Sequence, residues 1–284
     1  MDVESLSEPA IQPRLVETRA GAVPVRLYLP AGEAVAGLVW AHGGGFLGGD
    51  LDMPEADWVS RSLAARGIVV ASVDYSLAPV PIGYTFRPIE PRPGVHYPVA
   101  SEQLTDVFCW ATGEELGVPA GRWAIGGASA GGNLAAGAAL RLRDESGPQA
   151  AGVLLVYAVL HYRLPPATDE LRAKLGEEHQ ASPGGGTYLN DNYLGPASPQ
   201  APYAYAAGKD LRGLPPVFVL NADVDELRAS SQAFAAEVAA AGIDVVQVRE
   251  GGTAHGYLNE PDDPGALRSI ARIAAWLTGG DLWS

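Results

Sequence analysis

The stretch Trp123-Ala-Ile-Gly-Gly-Ala-Ser129-Ala-Gly-Gly-Asn133 runs from a short apolar segment, through a cluster of small residues, into an alanine- and leucine-rich segment that ends near Arg143. Residues Gly127 to Gly131 fit Gly-x-Ser-x-Gly. That pattern suits a serine on a tight strand-to-helix turn, where small neighbours keep a strained backbone free of clashes. A helix beginning just after the serine points its free N–H groups and the positive end of its dipole at the hydroxyl, which favours negative charge there. No Gly-Lys-Ser/Thr ending is present, so a nucleotide-phosphate loop is disfavoured. The stretch therefore predicts a strand at Trp123–Ile125, a nucleophile at Ser129 and a helix over Asn133–Arg143.

Working outward, strand-like and helix-like segments alternate along most of the chain. Val23–Leu29 alternates apolar and polar like an early antiparallel strand. Leu38–Ala41, Ile68–Val73, Val153–Tyr157, Val217–Leu220 and Val245–Val248 read as further strands. Ile68–Val73 has the unbroken apolar character of a strand buried on both faces. Glu55–Arg66, Ser101–Glu115, Arg228–Ala241 and Gly265–Leu277 read as helices. Such alternation predicts an α/β fold: a mostly parallel, doubly wound sheet with helices on both faces. No repeat or linker divides residues 1–284, so one domain is expected. Two irregular segments interrupt the rhythm: the proline-rich 79–98, and 164–205, which holds a short helix at Thr168–Leu175 and several tyrosines. Long irregular segments in a compact domain often cover sites, and both are expected to form a lid or line the pocket.

Three further segments supply chemistry that a nucleophilic serine needs. His42-Gly43-Gly44-Gly45-Phe46 follows a strand, and consecutive glycines let N–H groups converge without side-chain hindrance. An acyl-transfer reaction needs such donors for its oxyanion. Gly44, Gly45 and the N–H of Ala130 are the expected donors, although the sequence leaves open which of the glycines turn inward; His42 is expected to hold the loop. On a doubly wound sheet a triad follows the chain order serine, acid, histidine. Asn221-Ala-Asp223-Val-Asp225-Glu226-Leu-Arg228 follows a strand and offers three carboxylates. Asp225 is expected to be the acid, Asp223 to be solvated, and Glu226 to lie on the first turn of the next helix. His255 lies in a glycine-rich loop past the last strand and is the expected base. His96, His161 and His179 are expected to be loop residues, with His161 nearest to a pocket.

Composition bounds the partners. The chain has 284 residues, 19 Lys+Arg against 33 Asp+Glu and a net charge of −14. No basic cluster is present to neutralise phosphates, so nucleic acid and anionic membrane surfaces are disfavoured, and neutral substrates are expected. Cys109 is the one cysteine, which excludes an internal disulfide and a cysteine-rich metal site; a buried structural thiol is expected. Met1 to Pro13 carries Asp2, Glu4 and Glu8 rather than a secretory signal, and no apolar run approaches membrane-spanning length. The expectation is a cytoplasmic protein.

Taken together, His42-Gly-Gly-Gly-Phe46, Asp74-Tyr-Ser-Leu-Ala-Pro79, Gly126-Gly-Ala-Ser129-Ala-Gly-Gly-Asn133, Asp225-Glu-Leu-Arg228 and His255-Gly-Tyr257 resemble the hormone-sensitive-lipase-like branch of the α/β-hydrolases, the bacterial family IV esterases. The resemblance spans most of the chain in the family's order. It implies cofactor-free, metal-free hydrolysis of short-chain carboxylic esters by Ser129, Asp225 and His255. Homodimers are common among the enzymes it resembles, though nothing in this chain requires one. Some features depart from the family. Ala128 stands where Asp, Glu or Thr usually precedes the nucleophile, Ser76 replaces an arginine, and about thirteen residues precede Leu15 where the family commonly carries some fifty of helical cap. These departures bear on the cap and pocket rather than on the triad, and the two irregular segments are expected to replace that cap. The same triad would also serve an acyltransferase, a lactonase or an amidase. A non-catalytic small-molecule receptor is disfavoured, because such proteins usually lose a triad member.

Overall fold

Residues 8–82, 89–180 and 185–282 are described by a computed structural model of the chain, with side chains for all of them except 177–180 and 185–186. The first two strands, β1 (Ala10–Val16) and β2 (Val23–Leu29), form an antiparallel ribbon. Next come β3 (Ala36–Ala41), α1 (Asp57–Ala64), β4 (Ile68–Val73), α2 (Val99–Gly113), β5 (Trp123–Ala128), α3 (Ala130–Asp144) and β6 (Val153–Val156). The remainder is α4 (Asp169–Gln180), α5 (Gly185–Leu194), β7 (Val217–Val224), α6 (Arg228–Ala240), β8 (Val245–Ala254) and α7 (Pro264–Thr278). The eight strands form one sheet in the order β1-β2-β4-β3-β5-β6-β7-β8, parallel from β4 to β8.

The apolar runs of β3, β4, β5 and β6 are buried along their whole length. Because side chains alternate across a strand, each run feeds two cores. Val39 and Ala41 join Phe108 of α2, Leu134 of α3 and Phe234 of α6 on one face. Leu38 and Trp40 join Val59 and Leu63 of α1 and Ile270 and Ile273 of α7 on the other. Fully burying each of these large side chains stabilises the fold by about 1.5–3 kcal/mol. Local signals fix the helix ends where the packing does not. Asp263 caps α7 by accepting from the N–H groups of Gly265 and Ala266 at 2.6 and 3.1 Å, Pro264 opens that helix, and Gly279 closes it in the left-handed region.

The structure extends several expected elements. β1 goes beyond the expected strands: it is an edge strand, largely exposed, with Pro13 inside it, so it lacks the apolar alternation that would reveal it. β8 continues to Ala254 rather than ending at Val248, with a register shift opposite Ala222 and Val224. α3 starts at Ala130, not Asn133; Gly131 and Gly132 are poor helix formers, and tertiary contact overrides that preference. Within 164–205 the expected short helix is the longer α4, broken at Gly176 with φ +74°; the described part of 79–98 holds a Val80–Arg92 bridge. Among the described residues, no helix is long and apolar enough to cross a membrane.

Candidate active site

Five strands deliver the segments of interest at their C-terminal ends, where doubly wound sheets bind ligands. After β5, Ser129 adopts φ 52° and ψ −116°, a strained turn for a residue with a Cβ. The glycines beside it have steric causes. A Cβ on Gly127 would run into the main chain of Gly131, and one on Gly131 into the carbonyl oxygens of Ala41 and His42. At Gly132 a Cβ would lie 2.6 Å from the Cβ of Ala158. Strand β5, helix α3 and the chain leaving β3 thus touch backbone to backbone, and the serine is held at the helix N-terminus.

His255 follows β8 directly. Its Nε2 lies 3.0 Å from Ser129 Oγ, and its Nδ1 lies 2.8 Å from Asp225 Oδ2. Asp225, 3% exposed, is further fixed by the N–H of Leu227, which donates to Oδ1 at 2.9 Å. A carboxylate accepting at Nδ1 holds the imidazole with its Nδ1–H inward and leaves Nε2 free to take a proton from the hydroxyl. The ring of Tyr157 backs His255 at 5.1 Å, tilted by 62°.

The glycine loop curls beside this run. Gly44, Gly45 and Phe46 have φ of +119°, +66° and +66°. Tyr75 anchors the loop by donating its hydroxyl to the carbonyls of His42 (2.9 Å) and Gly43 (3.3 Å), and its ring stacks on His42 at 4.6 Å. Burial pushes the His42 imidazole down, so it stays neutral, with Nδ1 2.7 Å from the Gly43 carbonyl. His42 therefore serves the loop, as expected. The N–H of Gly43 is committed to Glu55 Oε2 at 2.5 Å. Among the described residues the N–H groups of Gly44 and Gly45 have no such acceptor, and the N–H of Ala130, first in α3, has no intrahelical one. The Gly43 N–H thus differs from those of Gly44 and Gly45 in having an acceptor.

Asp223 and Glu226 are placed differently from expectation, while His96 and His161 lie in loops as expected. Asp223 is not solvated: it is 7% exposed and accepts from Lys174 Nζ at 2.6 and 2.8 Å, Arg228 at 3.1 Å and the Gly252 N–H at 3.1 Å. Burial alone would raise this carboxyl, but the bonds from Lys174 and Gly252 and the charge of Arg249 outweigh it and hold the group low. Arg228 turns back from α6 to reach it, and α4 covers it with Lys174; that is why a carboxylate two residues before Asp225 is buried. Glu226 precedes α6, which begins at Arg228, instead of lying on its first turn. His161 is engaged by Ser230 Oγ at 2.9 Å and Glu237 at 3.2 Å, and His96 by the Asn192 carbonyl at 2.7 Å. His179, Gly184 and residues 83–88 lie outside the described residues or side chains. Cys109 is half-buried on α2, and burial pushes its thiol up. Among the described residues no group of three or more His, Cys, Asp or Glu is placed to hold a metal ion.

Glu55, Tyr157, Asn259 and the Lys174–Asp223–Arg228 group are residues that sequence reading missed. Tyr157 carried a signal, being the polar-tipped residue at the end of an apolar strand run. Glu55 carried none, since nothing local distinguishes it from a surface carboxylate at a helix start.

Over residues 38–82 and 91–259 the chain matches the alpha/beta hydrolase fold family. It is similar to Esterase LipI of Mycobacterium tuberculosis, with 32% identity over 251 residues, 86% of this chain and 73% of that protein. It is also similar to Carboxylic ester hydrolase LipN of the same organism, with 33% identity over 91% of this chain and 65% of that protein. Among solved structures, a hyperthermophilic esterase from the archaeon Pyrobaculum calidifontis superposes with a TM-score of 0.80 and 31% identity, covering 96% of this chain and 87% of that one.

Proposed function

The chain belongs to the alpha/beta hydrolase fold family, in its hormone-sensitive-lipase-like branch, and from that premise we propose that it hydrolyses small, neutral, short-chain carboxylic esters through an acyl-enzyme on Ser129. The observation that carries this reading is the continuous run Ser129 Oγ–His255 Nε2–Nδ1–Asp225 Oδ2, at 3.0 and 2.8 Å. A hydroxyl is a weak nucleophile until a base within hydrogen-bond reach can take its proton.

In this mechanism Ser129 Oγ attacks the ester carbonyl while His255 Nε2 accepts the proton. Asp225 holds the imidazole and stabilises its cation. The oxyanion is received by the N–H groups of Gly44, Gly45 and Ala130. His255 returns the proton to the departing alcohol, leaving the acyl-serine. Water then gives its proton to His255 and attacks the acyl carbon, and the acid leaves as Ser129 recovers its proton. No cofactor enters any step. The described parts of segments 79–98 and 164–205 cover the site in this reading.

The test is release of p-nitrophenol from acetyl, butyryl, octanoyl and palmitoyl esters, with Ser129→Ala alongside. The expected result is turnover of the short esters that falls by a factor on the order of 10⁴ or more in the variant. Retained activity in folded Ser129→Ala sinks the assignment.

A further inference from the structure

Glu55 is a carboxylate 2% exposed that the steps above do not use. Its Oε2 accepts the Gly43 N–H at 2.5 Å, and its Oε1 accepts the Tyr157 hydroxyl at 2.5 Å and the Asn259 amide at 3.5 Å. Its main chain is tied as well: the N–H donates to Asn259 Oδ1 at 3.2 Å, and the carbonyl accepts from Trp40 Nε1 at 2.9 Å. The partners of the carboxylate adjoin reacting groups or the residue that supports one. Gly43 precedes the two glycines whose N–H groups have no acceptor among the described residues. Tyr157 backs His255. Asn259 closes the turn that follows His255 by donating to the Gly256 carbonyl at 3.1 Å.

We infer that Glu55 is a positioning residue for the proposed reaction, its carboxylate clamping the glycine loop to the aromatic ring that supports His255. The inference rests on the esterase reading above. Each hydrogen-bond partner of the carboxylate among the described residues is a donor, which matches a group whose oxygens only accept. Burial and the nearby Glu55 charge push the Tyr157 phenol well up, so it keeps its proton and donates. By taking the N–H of Gly43, Glu55 selects Gly44 and Gly45 as the donors left to face the serine. The fit is close: a Cβ on Gly43 would lie 2.6 Å from Glu55 Oε2 and 3.1 Å from Ser129 Cβ. Tyr157 also sits at φ +35°, a conformation that persists only where its surroundings impose it, and the bond to Glu55 is one of those constraints.

A carboxylate that merely held the fold together would move stability and leave the folded enzyme's chemistry alone. The two roles separate on kcat against KM and on affinity for a trifluoromethyl ketone, which adds to the serine and places an oxyanion in the same hole. Wild type, Ser129→Ala, Glu55→Gln and Tyr157→Phe are compared on p-nitrophenyl butyrate, with circular dichroism and Tm to establish folding. For Glu55→Gln the expected result is a kcat about 10- to 100-fold lower, KM within about threefold, and ketone affinity weakened in step with kcat. For Tyr157→Phe, which keeps the ring but leaves Oε1 with the Asn259 amide alone, a fall of about two- to tenfold on the same two readouts is expected. Folded Glu55→Gln with kcat and ketone affinity within about twofold of wild type, or with its whole loss in KM, overturns the proposal alone. Should Glu55→Gln fail to fold, an unchanged Tyr157→Phe overturns it. A wild type without Ser129-dependent turnover overturns the esterase reading, and this proposal with it.

Discussion

Beneath Ser129, strand β5, helix α3 and the chain leaving β3 meet backbone to backbone, with glycine at 127 and 131 because a Cβ would overlap main-chain atoms. Beside it, α4 buries Leu171 and also reaches β7, β8 and α6 through long charged side chains: Lys174 on Asp223, and Glu170 on Arg228 and Arg249. The first region is fixed by steric contact, which neither pH nor salt alters. The second is fixed in part by charge, which both can weaken. In the floor under the proposed nucleophile, which must be held to within tenths of an ångström, the contacts cannot be titrated. Those of α4, which in the proposed reading belongs to the cover, include contacts that can.

The largest effect should come from forcing a side chain into the floor. Gly131→Ala places a Cβ against the carbonyls of Ala41 and His42, and a loss of more than about 4 kcal/mol is expected, read as absence of soluble, folded protein. A variant melting within about 2 °C of wild type would mean the floor yields and the comparison fails. Next, Asp223→Asn leaves the Arg228 guanidinium, whose side chain is 1% exposed, beside a neutral amide. Urea unfolding should register a loss of about 2–4 kcal/mol; a loss under about 0.5 kcal/mol would show that the charged cover contributes little.

Acid should sharpen the contrast. The Asp223 carboxyl is held below its ordinary value of 3.8 in the fold. Its contribution is thus present above pH 3.8 and disappears as pH falls through the lower folded value. The stability gap between wild type and Asp223→Asn should therefore hold near its pH 7 value down to pH 3.8 and narrow below it, measured by urea midpoints; a gap that stays constant below pH 3.8 contradicts the charge account. The smallest effect is expected where floor and cover meet by stacking. Tyr193 of α5 lies on Phe46 at 4.0 Å, and its buried hydroxyl has no partner among the described residues. Tyr193→Phe keeps the stack and removes an unmet polar group, so stability should be unchanged or higher by up to about 1 kcal/mol. A loss above that would reveal a hydrogen bond to the hydroxyl.

The same contrast explains what could be read from the sequence. The floor was legible because steric demands at 127, 131 and 132 leave glycine as a local mark, and because the strand runs ending near Ser129, Asp225 and His255 are apolar and short. The cover was not. Whether Asp223 is solvated or buried depends on Lys174 and Arg228 folding back over it from separate helices, and that pairing has no local signature. β1 went unread because an exposed edge strand has no apolar face to advertise it. Glu55 went unread because its meaning lies in Gly43, Tyr157 and Asn259, which only the folded chain brings to one carboxylate.

The conformation of Ser129, at φ 52° and ψ −116°, bears on how such a protein can be evolved. Strain of this kind typically costs about 1–3 kcal/mol, and glycine would relieve most of it. If Ser129 is the nucleophile, as proposed, heat tolerance and turnover pull this one position in opposite directions. A library selected for thermal survival alone would tend to drift toward glycine at residue 129 and produce sturdier, inert proteins. Only a screen that scores product at every round would keep the serine in place.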